Sequence, residues 1–138
     1  MFAIQSNTKR GLIVVAAGDD LTGKEGYLVK LGNNAGVPSA YLPTAVTDVA
    51  NYLVAEGAAP GLNCTLIPLE PGQQVRVVAG ATTLVPGDKV VAYAASAAGL
   101  ASEYTGSGAA FIVGIAEQVG DTAGQYLLIR PILSYQTV

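Results

Sequence analysis

The sequence predicts a mainly β protein: a compact β-barrel or β-sandwich of two similar β-units, with an N-terminal arm and at most one short helix. Two observations lead to this fold class. Seventeen glycines and seven prolines interrupt the chain at short intervals. The segments between them are rich in Val, Leu, Ile, Tyr and Thr, which favour strands. Short apolar segments separated by frequent turn signals are typical of all-β proteins.

These apolar segments predict eight strands. In chain order they lie near residues 11–17, 26–31, 52–55, 64–69, 75–78, 90–94, 111–116 and 126–132. The clearest turns are 70–73 (EPGQ) and 85–88 (VPGD), where proline presets φ at the first central position and glycine follows it.

The segment 32–51 is harder to interpret. Val46, Val49 and Leu53 recur at helical spacing within or just after it, which predicts a short helical turn over residues 45–50 that leads into the next strand. The rest of the segment matches no strand or helix pattern.

A faint internal repeat relates the two halves of the chain. Blocks of the first half align with blocks of the second at offsets of roughly 61–63 residues: 26–31 with 88–93, 54–56 with 115–117, and 66–69 with 129–132. Two similar units that close on each other would hide their sheet edges, although coincidental alternation in a chain rich in Ala, Val and Gly is the alternative. We expect one domain over residues 1–138, with the arm and first strand in 1–20, a first β-unit in 21–80 and a second in 81–138.

Composition argues against several classes of partner. Hydrophobic residues make up 51% of the chain and charged residues 12%, which excludes intrinsic disorder. A formal net charge of −3 provides no basic field for nucleic-acid phosphates. No apolar stretch approaches the ~18–20 residues that span a bilayer, and residues 1–10 lack the layout of a signal peptide. We therefore expect neither a nucleic-acid nor a membrane partner.

The residues that usually carry catalysis are scarce. The chain has no histidine, so it cannot supply a Ser-His-Asp triad, a Cys-His pair or a histidine metal site. Its single cysteine, Cys64, excludes a disulfide framework and is most simply a small core residue. Nothing selects a glycosidase-type pair among the carboxylates of Glu56, Glu70, Glu103 and Glu117. We expect no enzyme, no catalytic residues, no cofactor and no metal.

Residues 18–25 (GDDLTGKE) nearly match a phosphate-binding loop. They follow an apolar strand and fit seven positions of the pattern, but Glu25 stands where a magnesium-binding Ser or Thr is required. Three carboxylates in the loop would repel phosphate, and the following residues predict a strand instead of the helix whose N-terminus binds the anion. We expect a polar hairpin loop without a nucleotide. Asp19 and Asp20 lack the alternating oxygen donors of a calcium loop, so we interpret them as solvated turn residues.

Three short motifs in the second half resemble those of the capsid-cement, or head-decoration, proteins of tailed phages. They are residues 84–91 (LVPGDKVV), residues 113–117 (VGIAE), and the loop 120–125 (GDTAGQ) that leads into Tyr126. The resemblance covers roughly residues 26–132, although the segment 32–51 departs from it, and the family brings no catalytic residues. It implies a homotrimer on the outer surface of an icosahedral head. Such a protein would bind the major capsid protein and stabilise the assembled shell.

The N-terminal arm is the predicted shell-facing element. Its polar residues precede the first apolar strand, so the arm is expected to be mobile in the free protein and to order on the capsid. The predicted capsid contacts are Phe2, Ile4, Gln5, Asn7, Lys9 and Arg10. The alternative function is a β-rich carbohydrate- or receptor-binding module of a phage tail or fibre, which would need a concave cluster of aromatic and acidic side chains.

Overall fold

The computed structural model describes residues 11–80, 82–94, 97–106 and 108–137, and within these ranges the chain forms ten β-strands and no helix. This confirms the predicted fold class. The strands are β1 (Ile13–Ala17), β2 (Leu28–Asn34), β3 (Val37–Tyr41), β4 (Tyr52–Glu56), β5 (Asn63–Pro68), β6 (Val75–Val78), β7 (Lys89–Val91), β8 (Ser102–Glu103), β9 (Ala110–Ala116) and β10 (Tyr126–Gln136). With no helix in these ranges, none is available to cross a membrane.

The first five strands close into a barrel in the order β1-β3-β2-β4-β5. Strand β1 completes the closure, because it pairs antiparallel with β5 on one side and parallel with β3 on the other. Its side chains alternate: Ile13 and Val15 pack in the barrel core while Val14 between them is exposed. This period of two places one face of the strand inside the barrel and the other outside.

The other five strands form a sheet in the order β6-β10-β9-β7-β8. Its middle strand, β9 (AFIVGIA), is almost entirely buried because both of its faces are covered. Phe111 and Val113 pack in the core shared with the barrel, whereas Ile112 packs on the opposite face with Tyr104. Burial on both faces explains why the strand is a continuous apolar run without polar alternation.

The two larger of the three hydrophobic clusters among the described residues hold the barrel and the sheet. One fills the barrel and draws buried residues from all five of its strands: Ala17, Val29, Ala40, Val54, Cys64 and Leu66. The other joins the barrel to the sheet, where Leu28 and Leu53 pack with Val77, Val113 and Leu127. A continuous core of this kind means that each sheet depends on the other for part of its burial.

The predicted internal repeat corresponds to a repeated strand order. Neighbours β2-β4-β5 in the barrel match β7-β9-β10 in the sheet, and every pairing among them is antiparallel. The register agrees at the first pair: Leu28 lies opposite Leu53, and their aligned positions, Val90 and Gly114, also lie opposite each other. Three consecutive strands with the same order support two similar β-units over coincidental alternation.

The segment 32–51 differs from the prediction. It contains the end of β2 and all of β3, and the expected helical turn over 45–50 is a single turn in which the Asp48 amide donates to the Ala45 carbonyl (3.1 Å). Val46 then packs on the outer face of the sheet. The apolar residues at helical spacing were misleading because they do not share one buried face: Leu53 lies in the shared core, Val46 packs on the sheet, and Val49 is exposed.

Candidate functional site

The predicted capsid contacts Phe2, Ile4, Gln5, Asn7, Lys9 and Arg10 all lie outside the described residues. The structure therefore provides three other regions to consider: the loop 18–25, a cleft on the barrel wall, and the outer face of β1.

The loop 18–25 closes one end of the barrel. Leu21 is fully buried in the barrel core, and its amide donates to the Ala58 carbonyl (2.9 Å). The Thr22 amide donates to the Asp20 carboxylate (3.1 Å), and the Glu25 carboxylate accepts the Gly57 amide (3.0 Å). Amides that bond to protein oxygens are not free to cradle a phosphate.

The chain after this loop continues as strand β2, as predicted, so no helix N-terminus faces the loop. Lys24 lies over the ring of Tyr27, 5.2 Å from its centroid, a cation–π contact instead of a phosphate contact. The loop therefore lacks the free amides and the helix N-terminus of a phosphate-binding loop, and it contributes Leu21 to the barrel core.

A cleft of about 380 Å³ opens on the outer wall of the barrel. Its lining residues come from β2, from β3 and from the turns that follow β1 and β3: Asp19, Lys30, Gly32, Asn33, Tyr41, Leu42 and Thr44. We call this group the Tyr41 cleft. It combines one aromatic ring with a carboxylate, an ammonium, an amide and a hydroxyl.

Tyr41 occupies a space that two glycines leave open. A Cβ atom on Gly18 would overlap one edge of the Tyr41 ring, and a Cβ on Gly32 would come within 2.8 Å of the other edge. Neither glycine has a positive φ, so the close approach of the ring, and not backbone conformation, explains glycine at both positions.

Hydrogen bonds hold the charged side chains of the cleft. The Asp19 carboxylate accepts the Leu42 amide (2.8 Å). Lys30 Nζ pairs with Asp48 Oδ2 at 2.7 Å, and the same oxygen accepts the Thr44 amide (2.8 Å). Burial acts to raise the pKa of Asp48, but the hydrogen bonds from Lys30 and Thr44 outweigh it, so the pKa lies below its usual value.

The outer face of β1 is apolar and exposed. Leu12 and Val14 are 62% and 63% exposed. Ala16 pairs with Ser39 on the parallel neighbour β3, which places Val14 and the exposed Val37 on the same outer face, each two residues before that pair. We call Leu12, Val14 and Val37 the β1 face. It directly follows the residues predicted to contact the capsid.

Two further candidate residues from the sequence, Glu117 and Cys64, have structural explanations. Glu117 accepts Gln74 (2.6 Å) and pairs with Arg130 (3.0 Å), and these hydrogen bonds lower its pKa. Cys64 is buried in the barrel core as predicted, and burial raises the pKa of its thiol, which makes the thiolate scarce. Across the described ranges no cluster of three or more Cys, Asp or Glu side chains is arranged to hold a metal.

Comparison with known proteins yields a structural match. No family model and no curated protein matches the sequence. Among solved structures, the chain is similar to the N base of the head fibre protein gp8.5 of bacteriophage phi29. The TM-score is 0.65 at 12% sequence identity, and the alignment covers 93% of this chain and 98% of that one. The fold resembles that of a phage head fibre base. Since both chains align over nearly their whole length, the likeness includes the barrel and the second sheet together.

Proposed function

We propose that this protein is a structural component of a bacteriophage head, which binds the outer surface of the capsid through the major capsid protein and stabilises the assembled shell. One observation carries the proposal: the barrel and the sheet together match a head fibre base over 93% of the chain. The three motifs in residues 84–126 resemble those of head-decoration proteins. They support the same location, on a phage head, and a decoration role there.

The β1 face supports attachment to another protein. Its three side chains, Leu12, Val14 and Val37, are each more than half exposed. Apolar side chains grouped on one strand face are typical of surfaces that another protein covers. Residues Phe2 to Arg10 precede this face directly, so the arm and the β1 face would form one continuous contact with the shell.

The low charge content also favours fixed contacts. Only 12% of residues are charged, about half of the ~25% in typical soluble domains. Exposed Tyr126, Ile132 and Tyr135 add apolar surface on β10. We propose that subunits associate as a homotrimer and bury part of this surface, as the resemblance to decoration proteins implies.

Stabilisation of a shell follows from mass action. A protein that binds the assembled shell and not its separated pieces shifts the equilibrium towards the assembled state. Because one trimer would contact several capsid subunits, weak single contacts combine through high effective concentration. No catalytic step is needed for this function.

The test is cosedimentation of the protein with purified empty heads assembled without it. We expect saturable binding and an increase in the temperature at which the heads dissociate. Failure of the wild-type protein to bind, or binding without any change in head stability, would overturn the proposed function.

Variants locate the contact. Deletion of residues 2–9 is expected to reduce occupancy on heads while light scattering still reports a trimer. Val14→Lys places a charge on the β1 face and should also reduce occupancy, whereas the control Val119→Lys, at a 49% exposed position outside that face, should not. Full occupancy of heads by Val14→Lys would show that the β1 face does not contact the capsid. A monomeric deletion variant that still decorates heads would refute both the arm contact and the trimer.

A further inference from the structure

We propose that the Tyr41 cleft is a binding site for a neutral sugar. This inference goes beyond attachment to the head and does not depend on it. Its volume of about 380 Å³ lies within the ~300–1,000 Å³ of small-ligand pockets. The lining of the cleft combines apolar surface, from Tyr41 and Leu42, with both hydrogen-bond donors and hydrogen-bond acceptors. A pyranose has the complementary chemistry, with an apolar C–H face and a rim of hydroxyls that both donate and accept.

The polar side chains of the cleft are held in place before any ligand arrives. Asp19 uses Oδ2 for the Leu42 amide (2.8 Å), which leaves Oδ1 as an acceptor. Asn33 uses Oδ1 for the Gly36 amide (2.7 Å), which leaves its NH₂ group as a donor. Lys30 commits one N–H to Asp48 and retains two more. Each side chain is thus anchored by one atom and offers another, so binding immobilises few rotamers and costs little conformational entropy.

The aromatic ring is positioned in the same way. Gly18 and Gly32 lie against its two edges, and neither contributes a side chain that would push the ring aside. Tyr41 remains half-buried at the cleft. In the proposed complex the sugar stacks on this ring, beside the carboxylate of Asp19 and the amide of Asn33.

The charges in and beside the cleft disfavour the competing ligand classes. Asp19 contributes one negative charge, and the positive charge of Lys30 is already neutralised by Asp48, which lies beside the cleft and pairs with it at 2.7 Å. The cleft is therefore net negative, which disfavours phosphates, nucleotides and acidic sugars. A divalent cation is disfavoured as well, because the Lys30 ammonium lies within the site and both carboxylates already bond to backbone amides.

The test is an NMR titration of the ¹⁵N-labelled full chain in the absence of heads. The neutral ligands are the methyl glycosides of glucose, galactose, mannose and N-acetylglucosamine, and the acidic competitor is glucuronate. We expect one neutral glycoside to shift amide resonances of cleft residues at millimolar concentration. No shift at the cleft with any neutral glycoside at tens of millimolar, or tighter binding of glucuronate than of every neutral sugar, would overturn the proposal.

Three variants separate recognition from folding. Tyr41→Ala should weaken binding of that glycoside at least tenfold, whereas Tyr135→Ala, at an exposed tyrosine on β10, should bind like the wild type. Asp19→Asn keeps an oxygen for the Leu42 amide but replaces the free acceptor with a donor, so it should weaken binding while its spectrum stays folded. Unchanged affinity in a folded Asp19→Asn, or equal loss in Tyr41→Ala and Tyr135→Ala, would refute the site. Since heads are absent, none of these results depends on the proposed capsid function.

Discussion

Truncation of Leu21 tests whether the loop 18–25 closes the barrel. This side chain is 0% exposed and packs with Ala17, Val54 and Leu66 inside the barrel. Leu21→Ala removes its buried carbons and leaves a cavity walled by hydrogen-bonded strands, which cannot collapse easily. Buried Leu→Ala changes cost about 2.7–5.0 kcal/mol, and the cost rises with the volume of the cavity that remains. We expect the free energy of unfolding to fall by about 3–4 kcal/mol.

The matched control is Leu62→Ala, a leucine on a neighbouring loop that is 62% exposed and whose truncation should cost under ~0.5 kcal/mol. Urea denaturation at a fixed protein concentration measures both. Tyrosine fluorescence is a suitable signal, because the chain has seven tyrosines and no tryptophan. A loss of 3–4 kcal/mol corresponds to a decrease in Tm of about 10 °C or more. If Leu21→Ala costs no more than Leu62→Ala, the loop does not close the barrel.

Three further outcomes are expected. Gly114→Ala should lower the free energy of unfolding by about 2–3 kcal/mol, since its Cβ would overlap the Arg130 carbonyl across the β9–β10 pairing. The control is Gly120→Ala, in which the Cβ meets only side chains, at 3.3 Å or more. An equal loss of stability in the two variants would contradict this reasoning. The folded-state pKa of Asp48 is lowered, so its stabilising contribution is present above the usual aspartate pKa and is lost as the pH falls through the folded value. Urea titrations from neutral to acid pH should show the stability advantage over Asp48→Asn disappearing at the acid end, whereas a pH-independent difference would refute the assignment. Calorimetry should detect no micromolar ATP binding to the wild type or to Lys24→Ala, and affinity that this substitution removes would show that the loop binds phosphate.

Strands with local signals were predicted well. Segments near β4, β5, β6, β9 and β10 lie where alternating or continuous apolar residues end at glycine or proline turns. The pattern suffices there because a side-chain period of two reports burial of one face, and the turn residues set where the chain reverses.

Two strands were missed because their stability is not local. Strand β3 (VPSAY) begins with exposed Val37 and Pro38 and contains a serine that is 1% exposed, so it shows no alternation. It exists because β2 and β1 pair with it on both sides. Strand β8 has only two residues and pairs with β7 alone.

The chain's composition and local patterns determined an all-β protein without histidine chemistry, and they indicated that the loop 18–25 only resembles a phosphate site. The tertiary structure alone decided that β1 closes a barrel by pairing with both β3 and β5. It also decided that Asp19, Lys30 and Tyr41 line one cleft. These three residues come from successive parts of the chain that meet only through strand register. Register depends on which distant strands pair, and pairing is set by burial of whole faces instead of by the identity of neighbouring residues.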